Sequence, residues 1–123
     1  MFSVLRGAVI LKWYIEEQTK ELREFFEKEA LSWPMVDYKK MFGCPCYLAN
    51  GTIFAVLVTK GIVITKLTDE EKLQLSKVKK VGPFIAGAKV IKSWVQVNLE
   101  AKELPIVLPY VKKSYQQAIK IKT

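Results

Sequence analysis

The chain has 123 residues, half of them hydrophobic and about a quarter charged, a balance that suits one globular domain and excludes a disordered chain. Its net charge of +8 is uneven: residues 1–37 hold five bases against seven acids, whereas residues 38–123 hold fifteen lysines against five acids. There is no histidine and there are two cysteines, which excludes histidine-based catalysis, histidine metal sites and a disulfide scaffold.

The first stretch, Met1 to Tyr14, contains a short apolar run, Ala8 to Leu11, after Arg6. Lys12 interrupts it and it is too short to span a bilayer, so it is assigned to the domain and no membrane partner is expected. From Lys12 to Leu31 the residues favour a helix. Leu11, Ile15, Leu22, Phe26 and Ala30 fall near one face, with Phe25 beside them. Charged residues fill the rest, with opposite signs four apart in Glu16–Lys20 and Glu24–Lys28. Trp33-Pro34 ends this helix, because the residue before a proline is pushed out of helical geometry.

Val36 to Lys40 leads into the Met41–Gly51 stretch, where Gly43 and Pro45 punctuate the chain and Tyr47-Leu48-Ala49 starts a strand. Asn50-Gly51 is a strong hairpin signal, since both residues tolerate the positive φ of a type I′ turn. Thr52 to Thr59 is a continuous apolar strand, covered at least in part on both sides. Lys60-Gly61 turns the chain into a third strand, Ile62 to Leu67. Thr68-Asp69-Glu70-Glu71 is a capping box that opens a short helix ending near Lys77. The basic segment Lys77-Val78-Lys79-Lys80-Val81 follows and stops at Gly82-Pro83.

Phe84 to Gly87 reads as short and extended, and Lys89 to Leu99 as the longest strand. Ile91, Val95, Val97 and Leu99 share one face of it; Lys92, Trp94, Gln96 and Asn98 share the other. The last helix is expected from near Val107 to about Ile121, with Pro105 and Pro109 at its entrance. Its apolar face is Leu108, Val111, Tyr115 and Ala118, with Ile119 alongside. The expected fold is α+β, in the order α-β-β-β-α-β(β)-α. It is a two-layer sandwich of four to five antiparallel strands with helices mainly on one face. The other face, with Trp94, is then open unless a second subunit covers it.

Lys77, Lys79, Lys80, Lys92 and Trp94 are the candidates for contact with nucleic acid or another partner: the lysines attract phosphate and the indole can stack on a base. Nearly all the bases are lysine, which favours non-specific attraction over bidentate reading by arginine. The thiol pair Cys44 and Cys46 suits a soft metal shared between two subunits, thiol exchange, or two small residues at a strand entrance. No Walker A or dinucleotide-binding glycine pattern occurs, and no carboxylate pair stands out, so no enzyme activity and no cofactor are expected.

Several pieces in order resemble TfoX N-terminal-like domains. They are Lys39-Lys40-Met41-Phe42-Gly43, Tyr47-Leu48-Ala49-Asn50-Gly51 and Ile53-Phe54-Ala55; then Thr68-Asp69-Glu70-Glu71, Gly82-Pro83-Phe84 with Gly87, Lys92-Ser93-Trp94-Val95, and Leu108-Pro109-Tyr110-Val111 to Ala118. The resemblance covers about residues 36–120. It implies a small cytoplasmic α+β domain of the kind found at the N-terminus of a regulator of natural competence for DNA uptake. It brings no catalytic set. Stand-alone members of that family mostly have no assigned function. A regulatory or interaction module, a homodimer with a possible regulatory protein partner, is the expectation that follows, with direct nucleic-acid binding and a thiol or metal role as alternatives.

Overall fold

The computed structural model describes residues 14–41, 43–86 and 89–121, without the side chains of Ala86 and Lys92. The expectations for Met1 to Trp13, Phe42, Gly87 and Lys122 lie outside those residues, as does the side chain of Lys92. Among the described residues three α-helices and six strands follow one another: α1 (Glu16–Ala30), β1 (Val36–Met41), β2 (Cys44–Ala49), β3 (Thr52–Val58), β4 (Gly61–Ile64), α2 (Asp69–Ser76), β5 (Val81–Ala86), β6 (Lys89–Asn98) and α3 (Leu104–Ile119). The six strands form one antiparallel sheet in the order β1-β2-β3-β4-β6-β5. The α+β class therefore holds, with more strands than the four or five expected.

The additional strand is β1. All four of its central residues, Asp37 to Lys40, are exposed, so it lacks the apolar alternation that marks a half-buried strand. Among the described residues it is an edge strand, pairing along its whole length with β2. The other edge of the described sheet is β5, which includes Pro83, a residue confined to edges and bulges because it has no N–H.

Between β2 and β3, Asn50 and Gly51 have φ of 50° and 86°, as the expected type I′ turn requires. A bulge beyond it pairs Tyr47 with Ala55 and Leu48 with Ile53, so Phe54 is the extra residue and both Phe54 and Ala55 reach the main core. Gly61 opens β4 where the backbone of β6 comes close. A Cβ there would sit 2.7 Å from Asn98 Oδ1 and 2.8 Å from the Val97 carbonyl oxygen.

The helices pack on one face of the sheet. Leu22, Phe26 and Ala30 of α1, Leu75 of α2, and Leu104, Val107, Val111, Tyr115 and Ala118 of α3 join Tyr47, Phe54, Leu57, Ile62, Ile64, Val95 and Val97 in one cluster. The capping box of α2 forms as expected: Thr68 Oγ1 accepts from the Glu71 N–H, and Glu71 accepts from the Thr68 N–H. The last helix corrects the expected start, because it begins at Leu104 with Pro105 in its first turn and Pro109 inside it. Pro109 lies on the exposed side, so the proline ring and the lost hydrogen bond are accommodated at the surface.

Long-range hydrogen bonds fix these layers. Ser114 Oγ donates to the Phe54 carbonyl at 2.7 Å and accepts from the Lys66 N–H at 3.0 Å. Tyr115 Oη donates to the Pro34 carbonyl at 2.7 Å, tying α3 to the loop after α1.

The opposite face was expected to be open, and the structure corrects this. Cys44, Cys46, Val56, Val58, Val63 and Phe84 are buried there as a second cluster, with Tyr14, Met41, Ile53, Ile91 and Trp94 packed against it. A register shift explains one misplacement. Pro83 pairs with Val95 but Phe84 pairs with Ile91, so β6 carries extra residues between the two pairs. Ile91, expected on the helix-covered face with Val95, instead packs beside Trp94 in the second cluster.

Candidate functional site

The proposed partner-binding lysines start in the connection after α2. Lys77 and Lys80 are exposed, whereas Lys79 reaches the turn before α3 and bonds Glu103 at 2.8 Å. That ion pair, first among the causes, holds the Glu103 carboxyl below the ordinary carboxylate range. Lys79, Lys80, Val81, Gly82, Pro83, Ile85, Gln96 and Asn98 line an open groove of about 450 Å³ along β5. Gln96 Nε2 donates to Asn98 Oδ1 at 3.2 Å in the same groove.

Trp94 does not join this groove. Its ring stacks on Phe84, with centroids 5.9 Å apart and planes at 29°, and it is half-buried against the second cluster. The structure thus brings Lys79 and Lys80 together with Gln96 and Asn98, and engages the indole elsewhere. What sequence reasoning passed over is the span of the basic region. From Lys72 to Leu99 the chain holds six lysines and no carboxylate, a run readable without coordinates.

Cys44 and Cys46 both point into the second cluster and are 3% exposed. The Cys46 thiol donates to the Cys44 carbonyl at 3.7 Å. Burial pushes the Cys44 thiol up to about 11, and burial also raises Cys46 against the opposing effects of the Met41 backbone and Lys39. Thiols held protonated in an apolar cluster are poor nucleophiles and poor ligands. No group of three or more metal-binding side chains occurs among the described residues.

A third feature was not anticipated. Phe25 was placed beside the apolar face of α1, but it stands outside the core at 48% exposure. With Leu104, Pro105 and Leu108 of α3, and with Lys28 and Glu29 at its rim, it lines a groove of about 410 Å³ between α1 and α3. The sequence signal was present: two adjacent phenylalanines on a helix cannot both face one core stripe.

Close by, α1 is locked to β2. Tyr47 Oη donates to Glu27 at 2.6 Å, Arg23 bonds Glu27 at 3.0 Å and Glu16 at 2.9 Å, and Tyr14 Oη donates to Glu16. Burial, then the bond to Glu27, raises the Tyr47 phenol above its ordinary range. Arg23 also lies 5.6 Å from the centre of the Tyr38 ring. This network consumes its own donors and acceptors, as a structural clamp does.

No protein-family model, no curated protein and no solved structure matches this chain. No helix among the described residues is long and apolar enough to cross a membrane.

Proposed function

We propose that the chain is a non-enzymatic regulatory or protein-interaction domain, a two-layer sandwich of the TfoX N-terminal-like kind acting in the cytoplasm as a homodimer. The observation that carries this reading is the groove between α1 and α3. Its floor is apolar, with Phe25 projecting from it, and its charged lining, Lys28 and Glu29, comes from α1. Over their whole length the two helices differ in charge: α1 holds six carboxylates and three cations, while α3 holds two lysines and no acid. A second copy turned about a two-fold axis sets the acidic helix of each on the basic helix of the other and covers both phenylalanines. The ordered sequence resemblance supports the same class of domain.

Light scattering at tens of micromolar should report a dimer for the wild type and a monomer for Phe25→Glu, with a melting temperature that rises with protein concentration for the wild type and is independent of it for the variant. A wild type that stays monomeric at that concentration overturns the homodimer. The runner-up reading, direct nucleic-acid binding, is favoured by the exposed Lys77 and Lys80 and the groove beside them. Its test is titration with single- and double-stranded oligonucleotides across salt, where binding must fall steeply as salt rises.

A further inference from the structure

The β5–β6 hairpin combines two surface properties in one place. Ile85 and Val90 are direct cross-strand partners, so both side chains leave the same side of the ribbon, and both stand about half exposed at 54% and 48%. Ile85 also lines the groove that holds Lys79 and Lys80, which places an aliphatic pair beside the basic run. Lys80 of that groove and Lys77, three residues before it, are exposed, and no carboxylate interrupts the chain from Lys72 to Leu99.

The two candidate anionic partners ask for different side chains. A nucleic acid offers phosphates to lysine and base faces to aromatic rings, and neither is a partner for an exposed aliphatic pair. The aromatic candidate, Trp94, lies on the other side of the ribbon, stacked on Phe84. A bilayer with anionic headgroups offers phosphates or carboxylates to lysine and, just beneath them, an acyl boundary that takes aliphatic side chains. An aliphatic pair beside an exposed lysine run matches the second surface.

We propose that the β5–β6 hairpin is a peripheral docking element for an anionic lipid surface, with Ile85 and Val90 entering the headgroup–acyl boundary and Lys77 and Lys80 meeting the headgroups. The proposal revises the sequence expectation that no membrane takes part, which rested on the lack of a spanning segment. It is independent of the α1–α3 groove, which involves other elements.

Co-sedimentation of the full chain with vesicles tests it. The chain should bind vesicles of phosphatidylcholine with about 30 mol % phosphatidylserine and leave vesicles of phosphatidylcholine alone in the supernatant. The double substitution Ile85→Ser with Val90→Ser should weaken binding about tenfold or more at constant salt. Lys77→Glu with Lys80→Glu should weaken it comparably and flatten its salt dependence. All four side chains are exposed, and equal thermal melting of each variant verifies folding. No sedimentation with anionic vesicles at low salt overturns the proposal. So does binding that the serine pair leaves unchanged, since it would then be charge attraction alone. Tighter binding to an oligonucleotide than to the vesicles, insensitive to the serine pair, would assign the surface to nucleic acid instead.

Discussion

The two faces of the sheet are both buried, yet they are built differently. The helix-covered face is packed with large side chains, Phe26, Tyr47, Phe54, Leu57, Ile62 and Ile64, and is crossed by hydrogen bonds between segments far apart in sequence. The opposite face uses small and β-branched side chains, Cys44, Cys46, Val56, Val58 and Val63, with Phe84 as the buried aromatic. The difference teaches where stability and uniqueness reside. Large side chains supply buried area, and the directional bonds allow one placement of α1 and α3. The thiol face closes the sheet without fixing any of the described helices.

The sharpest way to break this contrast is to cut matched holes. Phe54→Ala should cost about 3–5 kcal/mol in urea unfolding, because it removes the bulged aromatic against Trp33 and Tyr115. Val63→Ala, fully buried on the other face, should cost roughly 1.5–3 kcal/mol. A larger loss at Val63 would reverse the ranking of the two faces.

Tyr47→Phe comes next, at about 1.5–3 kcal/mol, since it removes one hydroxyl whose partner is a carboxylate. It also has a pH signature. The Tyr47 phenol ionises near 10 in the unfolded chain and higher in the folded one, so its contribution is complete below pH 10 and is lost as pH rises further. The wild type should lose stability above pH 10 more steeply than Tyr47→Phe.

Ser114→Ala should cost about 1–3 kcal/mol, because it leaves both the Phe54 carbonyl and the Lys66 N–H without the serine that joins them. Chemical denaturation of this variant should show an unchanged m-value.

The smallest effect belongs to the thiol face. The Cys44 thiol is raised from its ordinary 9.0 to about 11, so its share of stability is present below pH 9 and is lost between pH 9 and 11. Labelling at pH 8 by a thiol reagent should therefore be slow in the folded protein and become fast on adding denaturant. Fast labelling of both cysteines in the folded state would show that this face opens and break its description as a closed cluster.

Patterns of local origin were legible in the sequence. The Asn50-Gly51 turn, the apolar β3 and the capping box at Thr68 each follow from a few neighbouring residues, and each is found where expected. Features set by distant partners were not legible. β1 is polar along its centre and is a strand because β2 offers it a ladder. Ile91 changed faces because of a register shift against Phe84. Ser114 and Thr19 look like solvated helix residues, yet Ser114 serves the Phe54 carbonyl and Thr19 accepts from the Lys60 N–H. At the candidate site the lysine run was readable, while the Lys79–Glu103 pair, the Trp94–Phe84 stack and the exposure of Phe25 depended on tertiary packing.

Pro83 carries one more consequence. A sheet grows by offering unpaired N–H and C=O groups to a new strand, much as a polymer adds monomers at its reactive ends. Here one end of the described sheet bears a residue that cannot donate, and the other is lined by exposed Asp37, Lys39 and Lys40, whose charges an added strand would have to draw out of water. Contact between copies is thereby steered toward side chains, whose identity can differ at every position, and away from the backbone, which is the same in every protein.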